Sequence, residues 1–457
     1  MVEIPQSPNP RSAWEPFTPG AAAEWNVALA GHLWRRAACG ATWTELQESI
    51  RRGPEATLAR LLDPGDEAVA RDRQFDQYEA AAASGAVETL RAWWLWRMIE
   101  TRWPLRERMT LFWYDFFGLG ASRVKNTALV ARHLAMLRAH SLGNFADLLR
   151  AAARDPALLV SLGAEANRRA RPSELLARRW LARYTVGPEA FGDEDVASCA
   201  RAWTGWFVLR GELRYFEREY DDGPKRLLGR EGRFDDQGVV EVLLTQPATA
   251  RNVVRRLYRW LVSEVDEPDD TLVAPLAERF AKDYQIAPLV GAMLGSRWFF
   301  SAAAYRRRVK SPVELAVGLL RSLEAAAPTL PLGDALAELG QNLLEPPTFD
   351  GWSGGADWLN RAALLERYRL LGALLGGGQP YGQRVDPAAT ARRHAGEDPS
   401  SAAPLLVELM LDGRLEPPSA ERVAAVRGAL EVDRRAASKA IRDFAGALAL
   451  LPEYQLA

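Results

Sequence analysis

One short polar segment has the residue types that acid–base chemistry requires. Residues 219–225 (EYDDGPK) place two adjacent carboxylates, Asp221 and Asp222, before a Gly-Pro turn, and Lys225 follows directly. Carboxylates and an amine that gather around a substrate can donate and accept protons, or hold a cation. Asp, Gly and Pro are also ordinary turn formers, so the spacing alone favours a charged turn. The segment is therefore a candidate that needs partners from elsewhere in the chain.

The better-known catalytic motifs are almost entirely missing from the sequence. Residues 351–355 (GWSGG) match the G-x-S-x-G pattern, in which a strand-to-helix turn exposes a nucleophilic serine. However, Pro346 and Pro347 precede this match, no apolar strand leads into it, and no histidine lies nearby to act as the base. Among the four histidines, His133 and His140 can share a helix face, but surface or capping roles are favoured for both. The sequence contains no P-loop, no dinucleotide-binding glycine motif and no H-E-x-x-H.

Tryptophan is unusually frequent, with 16 residues in the chain. Trp93, Trp94 and Trp96 fall in one predicted helix, and Trp103 and Trp113 fall in the next. Exposed tryptophan rings stack on sugars or bases, whereas rings at helical spacing usually pack in a core. The spacing favours core packing, and an exposed binding row remains the alternative.

The composition indicates a folded protein without a strong electrostatic preference for its partners. Of the 457 residues 48% are hydrophobic and 26% are charged, and the formal net charge is −1. This balance predicts no nucleic-acid partner. Two cysteines, Cys39 and Cys199, are too few for a disulfide framework. Because we find neither a signal peptide nor an apolar run that could span a membrane, we expect a cytoplasmic protein unless a partner exports it.

Helix signals that could position these residues recur along the chain. Asp155-Pro156 reads as an N-cap followed by a first-turn proline, and residues 311–314 (SPVE) read as a capping box. Apolar residues recur at helical spacing in residues 196–203 and 253–261. Only residues 206–238 alternate short apolar pieces with turns. We therefore predict a mainly α, large multi-helix globular domain with a β-hairpin or loop excursion near 206–238.

The same signals suggest how the chain is divided. A polar, proline-rich segment covers residues 1–24, and the main helical domain covers 25–375. The run of Gly376, Gly377 and Gly378 predicts a linker over 376–385. A C-terminal helical segment follows over 386–457.

Six dispersed segments resemble the bacterial family called domain of unknown function 1800. They are residues 32–37 (HLWRRA), 108–113 (RMTLFW), 202–206 (AWTGW), 223–225 (GPK) with 228–229 (LG), 309–312 (VKSP), and 339–355 with its LGQ, PP, GW and GG pieces. The segments occur in the family's order and extend from about Trp25 to Leu375. The resemblance implies a large helical protein. It also implies a protein partner, since such proteins are often encoded beside the sulfatase-like family called domain of unknown function 1501.

This chain departs from the family at several polar positions. The family usually has histidines where this chain has Tyr114, Phe116 and Tyr220, and it has glutamates where this chain has Arg179 and Ala182. Histidines and glutamates on several helices are what a helical protein uses to hold a metal, which we infer for the family. Because all five are replaced here, we predict that this chain holds no metal and no cofactor.

The leading hypothesis is therefore a degenerate, non-catalytic binding or scaffold subunit. The first alternative is a hydrolase-type enzyme that uses Glu174 and Asp221 as catalytic carboxylates without a metal. The second alternative is a carbohydrate- or polymer-binding module with exposed tryptophans. The residues predicted to bind a substrate or partner are Asn167, Arg178, Asp222, Lys225, Trp113, Tyr114 and Tyr220. Since Glu174 and Arg178 share a helix face, we expect both to lie near Asp221 and Lys225.

Overall fold

Helices make up most of this computed structural model, which describes residues 4–20, 24–428 and 437–457. The structure is 63% helical over these residues. Its β structure in the described ranges is limited to two small antiparallel pairs and isolated bridges. The predicted mainly α fold is confirmed.

The first six helices form one side of the core. Asn26 caps α1 by accepting hydrogen bonds from the amides of Ala28 and Leu29, and Thr42 and Glu45 form a capping box at α2. The bounds of these helices are α1 (Val27–Ala38), α2 (Trp43–Arg52), α3 (Pro54–Leu62), α4 (Asp66–Asp72), α5 (Asp76–Ser84) and α6 (Val87–Glu100).

The next group contains α7, the most central helix for the candidate site. Pro104 begins α7, where its missing amide hydrogen costs nothing, and nearly every side chain of the helix is buried. The bounds of this group are α7 (Pro104–Phe117), α8 (Ala121–Val124), α9 (Thr127–His140), α10 (Phe145–Ala153), α11 (Pro156–Ser161), α12 (Glu174–Arg179) and α13 (Asp193–Ala202). A π-helical turn, Trp180–Tyr184, continues α12, and such turns are frequent at functional sites.

The predicted β excursion between α13 and α14 is also confirmed. Strands β1 (Trp206–Leu209) and β2 (Glu212–Tyr215) form a hairpin, and β3 (Lys225–Leu227) pairs with β4 (Arg230–Gly232). Arg210 and Gly211 make the two-residue turn of the hairpin, both with positive φ (54° and 80°). Two positive φ values match the right-handed twist of the flanking strands.

The remaining helices complete the core and carry the predicted caps. Asp155 caps α11, and Ser311 and Glu314 form the capping box of α18 as predicted. The bounds are α14 (Asp236–Leu244), α15 (Pro247–Leu261), α16 (Asp270–Phe280), α17 (Ile286–Leu294), α18 (Pro312–Ser322), α19 (Thr329–Glu338), α20 (Arg361–Gly376), α21 (Pro387–Ala395), α22 (Pro399–Leu411), α23 (Pro417–Arg427), α24 (Ala437–Ala449) and α25 (Pro452–Gln455).

The C-terminal helices pack on the rest of the molecule. Helix α22 contacts α1 and α18. Gly376 is the last residue of α20, and Gly377 follows it in the left-handed conformation that favours glycine. The division into a main domain, a linker over 376–385 and a C-terminal segment stays a prediction.

The tryptophan side chains are buried or partly buried. Trp94, Trp113, Trp180 and Trp203 are among the largest fully buried side chains. All 16 tryptophans lie within the described residues, and none belongs to the exposed class. In the described part of the chain, no helix has the length and apolar character needed to cross a bilayer.

Candidate functional site

Hydrogen bonds from neighbouring residues hold Asp221, the first predicted catalytic carboxylate. Arg201 on α13 donates two hydrogen bonds to its carboxylate, from Nε (2.8 Å) and Nη2 (2.9 Å). The Gly223 amide donates a third at 2.9 Å. The hydrogen bonds from Arg201 are the main reason why the pKa of Asp221 falls to about 2. Asp221 therefore stays ionised at working pH and serves to hold the turn.

Lys225 and Tyr220 belong to the same turn. Lys225 is buried, and its ammonium donates to the backbone oxygens of Asp221 (2.6 Å) and Gly223 (3.3 Å). Burial lowers the pKa of Lys225. The Tyr220 ring lies 5.0 Å from this ammonium, and its hydroxyl donates to the backbone oxygen of Phe234. The sequence was therefore right to group Asp221 with Lys225, but their contacts are those of a turn.

Glu174, the second predicted carboxylate, lies on the surface. Its nearest cation is Arg178, one helical turn away at 3.8 Å, and Arg178 also lies 3.1 Å from Asp193. All three side chains are exposed. Asp222 is exposed as well, 3.9 Å from Arg233. No contact among the described residues joins Glu174 to the Asp221 turn, so their convergence stays a prediction.

Asn167 is the predicted binding residue that links these two regions. Its side-chain oxygen accepts from the Ser173 amide (3.0 Å), just before Glu174 begins α12. Its backbone oxygen accepts from the Gly205 amide (2.8 Å), and its own amide donates to Trp206 at the start of β1. Asn167 thus fixes the entry of α12 against the β excursion.

Trp113 and Tyr114 are core residues of α7. Both are fully buried, and each donates to a backbone oxygen: Trp113 to Ser141 (3.0 Å) and Tyr114 to Leu344 (3.1 Å). Burial raises the pKa of Tyr114 well above its ordinary value. Neither ring is available at the surface.

A polar cavity of about 170 Å³ lies beside α7, and the sequence analysis did not predict it. We call it the arginine cavity, because four arginines line it together with three carboxylates and three tryptophans. Its lining residues are Phe112, Asp115, Phe116, Arg183, Arg256, Arg259, Trp260, Glu264, Arg308, Ser311, Gln341, Asp350, Trp352, Ser353, Gly354 and Trp358.

Asp115 anchors the loop that closes one side of the arginine cavity. Its Oδ1 accepts from the amide of Trp352 (2.8 Å). Arg183, in the π-helical turn, donates to the backbone oxygens of Asp115 (2.8 Å) and Phe116 (2.9 Å), and lies 4.0 Å from the Asp115 carboxylate. Burial raises the pKa of Asp115 to about 6. The carboxylate is thus held between a loop amide and a buried guanidinium.

Gly351 is required by this arrangement, and we expect Gly351→Ala to lower the free energy of unfolding by about 2 kcal/mol. Its φ is +84°, and a Cβ there would lie 2.2 Å from Oδ1 of Asp115. Chemical denaturation of the variant measures the loss. Gly378→Ala is the matched control, since nothing lies within 4 Å of that Cβ and its φ is not positive. Equal stability of the two variants would contradict the anchoring role of Asp115.

Arg256 provides a positive charge that has no ion-pair partner among the residues that the structure describes. It lies on α15 one turn before Trp260 and is held by a hydrogen bond from its Nε to the amide oxygen of Asn252 (3.3 Å). None of the ion pairs among the described residues includes it. Burial, followed by the neighbouring Arg183, lowers the pKa of Arg256 to about 10. Its guanidinium is still charged at working pH, 5.2 Å from the centre of the Phe116 ring.

Three buried N–H groups of the cavity residues have no hydrogen-bond partner among the described residues. They are Nε1 of Trp260, Nε1 of Trp352 and Nε of Arg308. The nearest carboxylate oxygen to the Arg308 Nε belongs to Glu264 at 3.7 Å, beyond hydrogen-bond distance. All three residues line the arginine cavity, and a buried donor without an acceptor is costly.

Two of the five positions at which the resemblance implies a histidine or a glutamate lie at the arginine cavity. Phe116 lines it, beneath Arg256. Arg179 donates to Asp350, a lining residue, at 2.7 Å. A phenyl ring and a guanidinium cannot ligate a metal, and a guanidinium opposes a cation. The residues present therefore do not fit a metal ion.

The other three positions, Tyr114, Ala182 and Tyr220, do not line the arginine cavity. The Tyr114 ring stacks on Trp352 at 6.3 Å, on the core side of the cavity. Ala182 immediately precedes Arg183 in the π-helical turn. Tyr220 makes its contacts within the β excursion. Within the described ranges, no group of three or more His, Cys, Asp and Glu side chains is placed to hold a metal.

The reading of residues 351–355 as a nucleophile elbow is not supported. The residues before the serine form an isolated bridge, Thr348 with Gly351, rather than a strand. Ser353 is exposed at the rim of the cavity, and a short 3-10 helix follows at Gly355–Leu359. The segment instead supplies Trp352 and its amide to the cavity wall.

Comparison with known proteins identifies one family. The sequence model of the family described as "Protein of unknown function (DUF1800)" matches residues 32–456. No curated protein matches the chain, and no solved structure matches it. The match includes every residue of the arginine cavity and extends past Leu375, where the segments seen in the sequence end.

Proposed function

The chain belongs to this protein family of unknown function, DUF1800, and from that premise we propose that it is a non-catalytic member that binds a ligand in the arginine cavity. The observation that carries the proposal is the pair Phe116 and Arg179. They stand at the cavity where the resemblance places a histidine and a glutamate. We propose that the cation site implied by the resemblance has become, in this chain, a cavity rich in hydrogen-bond donors.

The hydrolase alternative has little support from its two carboxylates. A general acid must be protonated near its operating pH, and the pKa of Asp221 is about 2 because Arg201 holds its carboxylate. Glu174 is exposed and pairs with Arg178. Neither group lines the arginine cavity. These contacts favour binding over acid–base catalysis.

The carbohydrate- or polymer-binding alternative depended on exposed tryptophans. Each tryptophan side chain is buried or partly buried. The large exposed apolar side chains include Leu209, Tyr215 and Phe216 at the β1–β2 hairpin and the pair Leu365 and Tyr368 on α20. A row of rings for stacking on a polymer therefore has no support.

A non-catalytic role is tested with the ligand that the protein itself retains. We expect native purification followed by denaturation to release a small molecule that purified protein leaves chemically unchanged during prolonged incubation. Mass spectrometry of the mixture before and after incubation makes this measurement. Conversion of the released molecule at a substoichiometric amount of protein would show that the chain is an enzyme.

We expect the purified protein to hold no stoichiometric zinc, iron or manganese. Phe116, Arg179 and Ala182 cannot ligate, and Tyr114 and Tyr220 are phenols that ligate poorly unless activated. Elemental analysis after gentle purification provides the test, and about one equivalent of metal per chain would contradict it. A companion variant restores His at 114, 116 and 220 and Glu at 179 and 182. If it folds without gaining metal affinity, the site inferred for the family is itself wrong.

We also propose a protein partner and a compartment. The partner is a sulfatase-like protein of the family domain of unknown function 1501, which the family resemblance suggests. The net charge of −1 gives no general attraction to nucleic acid, and we propose that the protein is cytoplasmic unless that partner exports it. Co-purification with a tagged partner, against an unrelated sulfatase as the control, tests the pairing.

A further inference from the structure

We propose that the arginine cavity binds a tetrahedral oxoanion, a phosphate or sulfate group, between Arg256, Arg308, Trp260 and Trp352. The inference rests on the proposed function and names the chemical class of the ligand. It follows from the donors that surround the cavity, from the charge that is left unpaired there, and from the size of the space.

The unpartnered donors come from three separate parts of the chain. Trp260 lies on α15, Arg308 precedes α18, and Trp352 belongs to the loop fixed by Asp115. Each has a buried N–H group without an acceptor among the described residues. A tetrahedral oxoanion offers oxygens in several directions, whereas a carboxylate presents two oxygens in one plane. Donors on three separate segments around one cavity therefore favour the oxoanion.

The charge in the cavity also favours an anion. Of the four lining arginines, Arg259 is exposed and pairs with Glu267, and Arg308 donates to Glu314 at 2.9 Å. Arg183 lies near both Asp115 and Asp350. Arg256 is left without an ion pair in the described structure, so one largely buried positive charge has no counterion. Burial strengthens the attraction of such a charge for an anion.

The carboxylates of the cavity are already held by other donors. Asp115 accepts from the Trp352 amide, and Glu264 accepts from the Val309 amide at 2.5 Å. Asp350 accepts from Arg179 at 2.7 Å. Asp115 and Asp350 are close enough to Arg256 to raise its pKa, but no ion pair joins either of them to Arg256 in the described residues.

The size of the cavity sets the size of the bound group. Its volume of about 170 Å³ is below the roughly 300–1,000 Å³ of sites for drug-sized ligands. A compact group fits, and the rest of a larger ligand would extend past the exposed Ser353 and Gly354 at the rim. An oxoanion at the end of a larger molecule and a free oxoanion share this chemistry.

Titration with inorganic sulfate, inorganic phosphate, sodium acetate and magnesium chloride tests the inference. We expect sulfate and phosphate to bind at one equivalent per chain, measured by calorimetry. Acetate is expected to bind at least tenfold more weakly, and magnesium not to compete. Acetate or magnesium binding as tightly as the oxoanions would overturn the inference.

Substitutions of residues that line the arginine cavity test whether sulfate binds there. Arg256→Met is expected to weaken sulfate binding by about tenfold or more, because it removes the unpaired charge but keeps an apolar stem. Arg259→Met is the matched control on the same helix and should change binding by less than about twofold, since Arg259 is exposed and already paired. Sulfate binding by Arg256→Met at wild-type strength would overturn the inference.

A second variant covers the case in which Arg256→Met does not fold. Trp260→Phe removes one indole N–H group and keeps an aromatic ring, and we expect it to weaken sulfate binding severalfold. Wild-type affinity in this variant would also count against the inference. Different results would contradict the bound oxoanion and the non-catalytic function. A retained ligand without a phosphate or sulfate group contradicts only the oxoanion, whereas conversion of that ligand contradicts the non-catalytic function.

Discussion

Glu314→Gln is expected to lower the free energy of unfolding by roughly 3–5 kcal/mol, the usual cost of removing one partner from a buried ion pair. The Glu314 carboxylate accepts from Arg108 and from Arg308, and both arginines are buried with it. It also accepts from the Ser311 amide at 2.7 Å, which closes the capping box of α18. Glutamine keeps the shape but leaves the buried Arg108 without its counterion and Arg308 with only Glu264, at 3.7 Å. Urea denaturation of the two proteins measures the difference.

Urea denaturation at several pH values tests whether the ion pairs of Glu314 are the cause of this loss of stability. Burial alone would raise the pKa of Glu314, but Arg108 and Arg308 outweigh it and lower the pKa to about 2, from an ordinary value of 4.5. A depressed carboxyl pKa contributes stability that is complete above the unfolded value and is lost as the pH falls through the folded value. The difference between wild type and Glu314→Gln should therefore narrow as the pH falls from about 5 to 2. Glu67→Gln, in an exposed pair with Arg71, should show no measurable loss at any pH. A constant difference would exclude the ion pair as its source.

The sequence predicted those parts of the fold that local signals determine. Ser311 with Glu314 and Asp155 with Pro156 are caps whose partners lie within three residues, so the sequence alone could identify them. The β excursion was predicted because Gly211 and its neighbours favour a tight turn. The packing of α22 on α1 depends on residues hundreds of positions apart, and no periodicity in either helix specifies it.

His133 shows how a distant partner changes the interpretation of one residue. A surface or capping role was favoured for it, and this prediction was wrong. His133 is fully buried, and its Nδ1 contacts the carboxylate of Asp155. The sequence identified Asp155 only as a helix cap, because nothing in the local pattern shows that its second oxygen faces α9.

The sequence predicted polar contacts only between residues that are neighbours in sequence. Asp221 and Lys225 were placed together correctly, but their neutralising partner Arg201 lies 20 positions away on α13. The arginine cavity draws on residues from Phe112 to Trp358, each ordinary in its own segment. One signal that could have located it is at residues 114–116, where Asp115 lies between two positions at which the resemblance implies histidines.

Lys310→Met is expected to raise the free energy of unfolding by roughly 1–4 kcal/mol at pH 7, the range seen when buried ion pairs are replaced by apolar groups of similar volume. Lys310 is buried, and its ammonium lies 3.8 Å from the centre of the Tyr454 ring. The charged groups that act on it are Arg35, Arg367 and Arg306, which repel it, and Glu314, which already pairs with Arg108 and Arg308. Methionine keeps the apolar stem over Tyr454 and removes the charge.

The pH dependence of this gain distinguishes a desolvated charge from better packing. Burial, followed by Arg35, lowers the pKa of Lys310 well below 10.5. Unfolding therefore takes up a proton between the folded pKa and about 10.4, and the stability of the wild type should rise as the pH increases through that window. In Lys310→Met this rise should be missing, so the two stability curves should converge toward pH 10. Lys439→Met, at an exposed position beside Asp443, should leave the curve of the wild type unchanged. If Lys310→Met keeps its advantage undiminished up to pH 10, the gain comes from packing and the buried charge is not its cause.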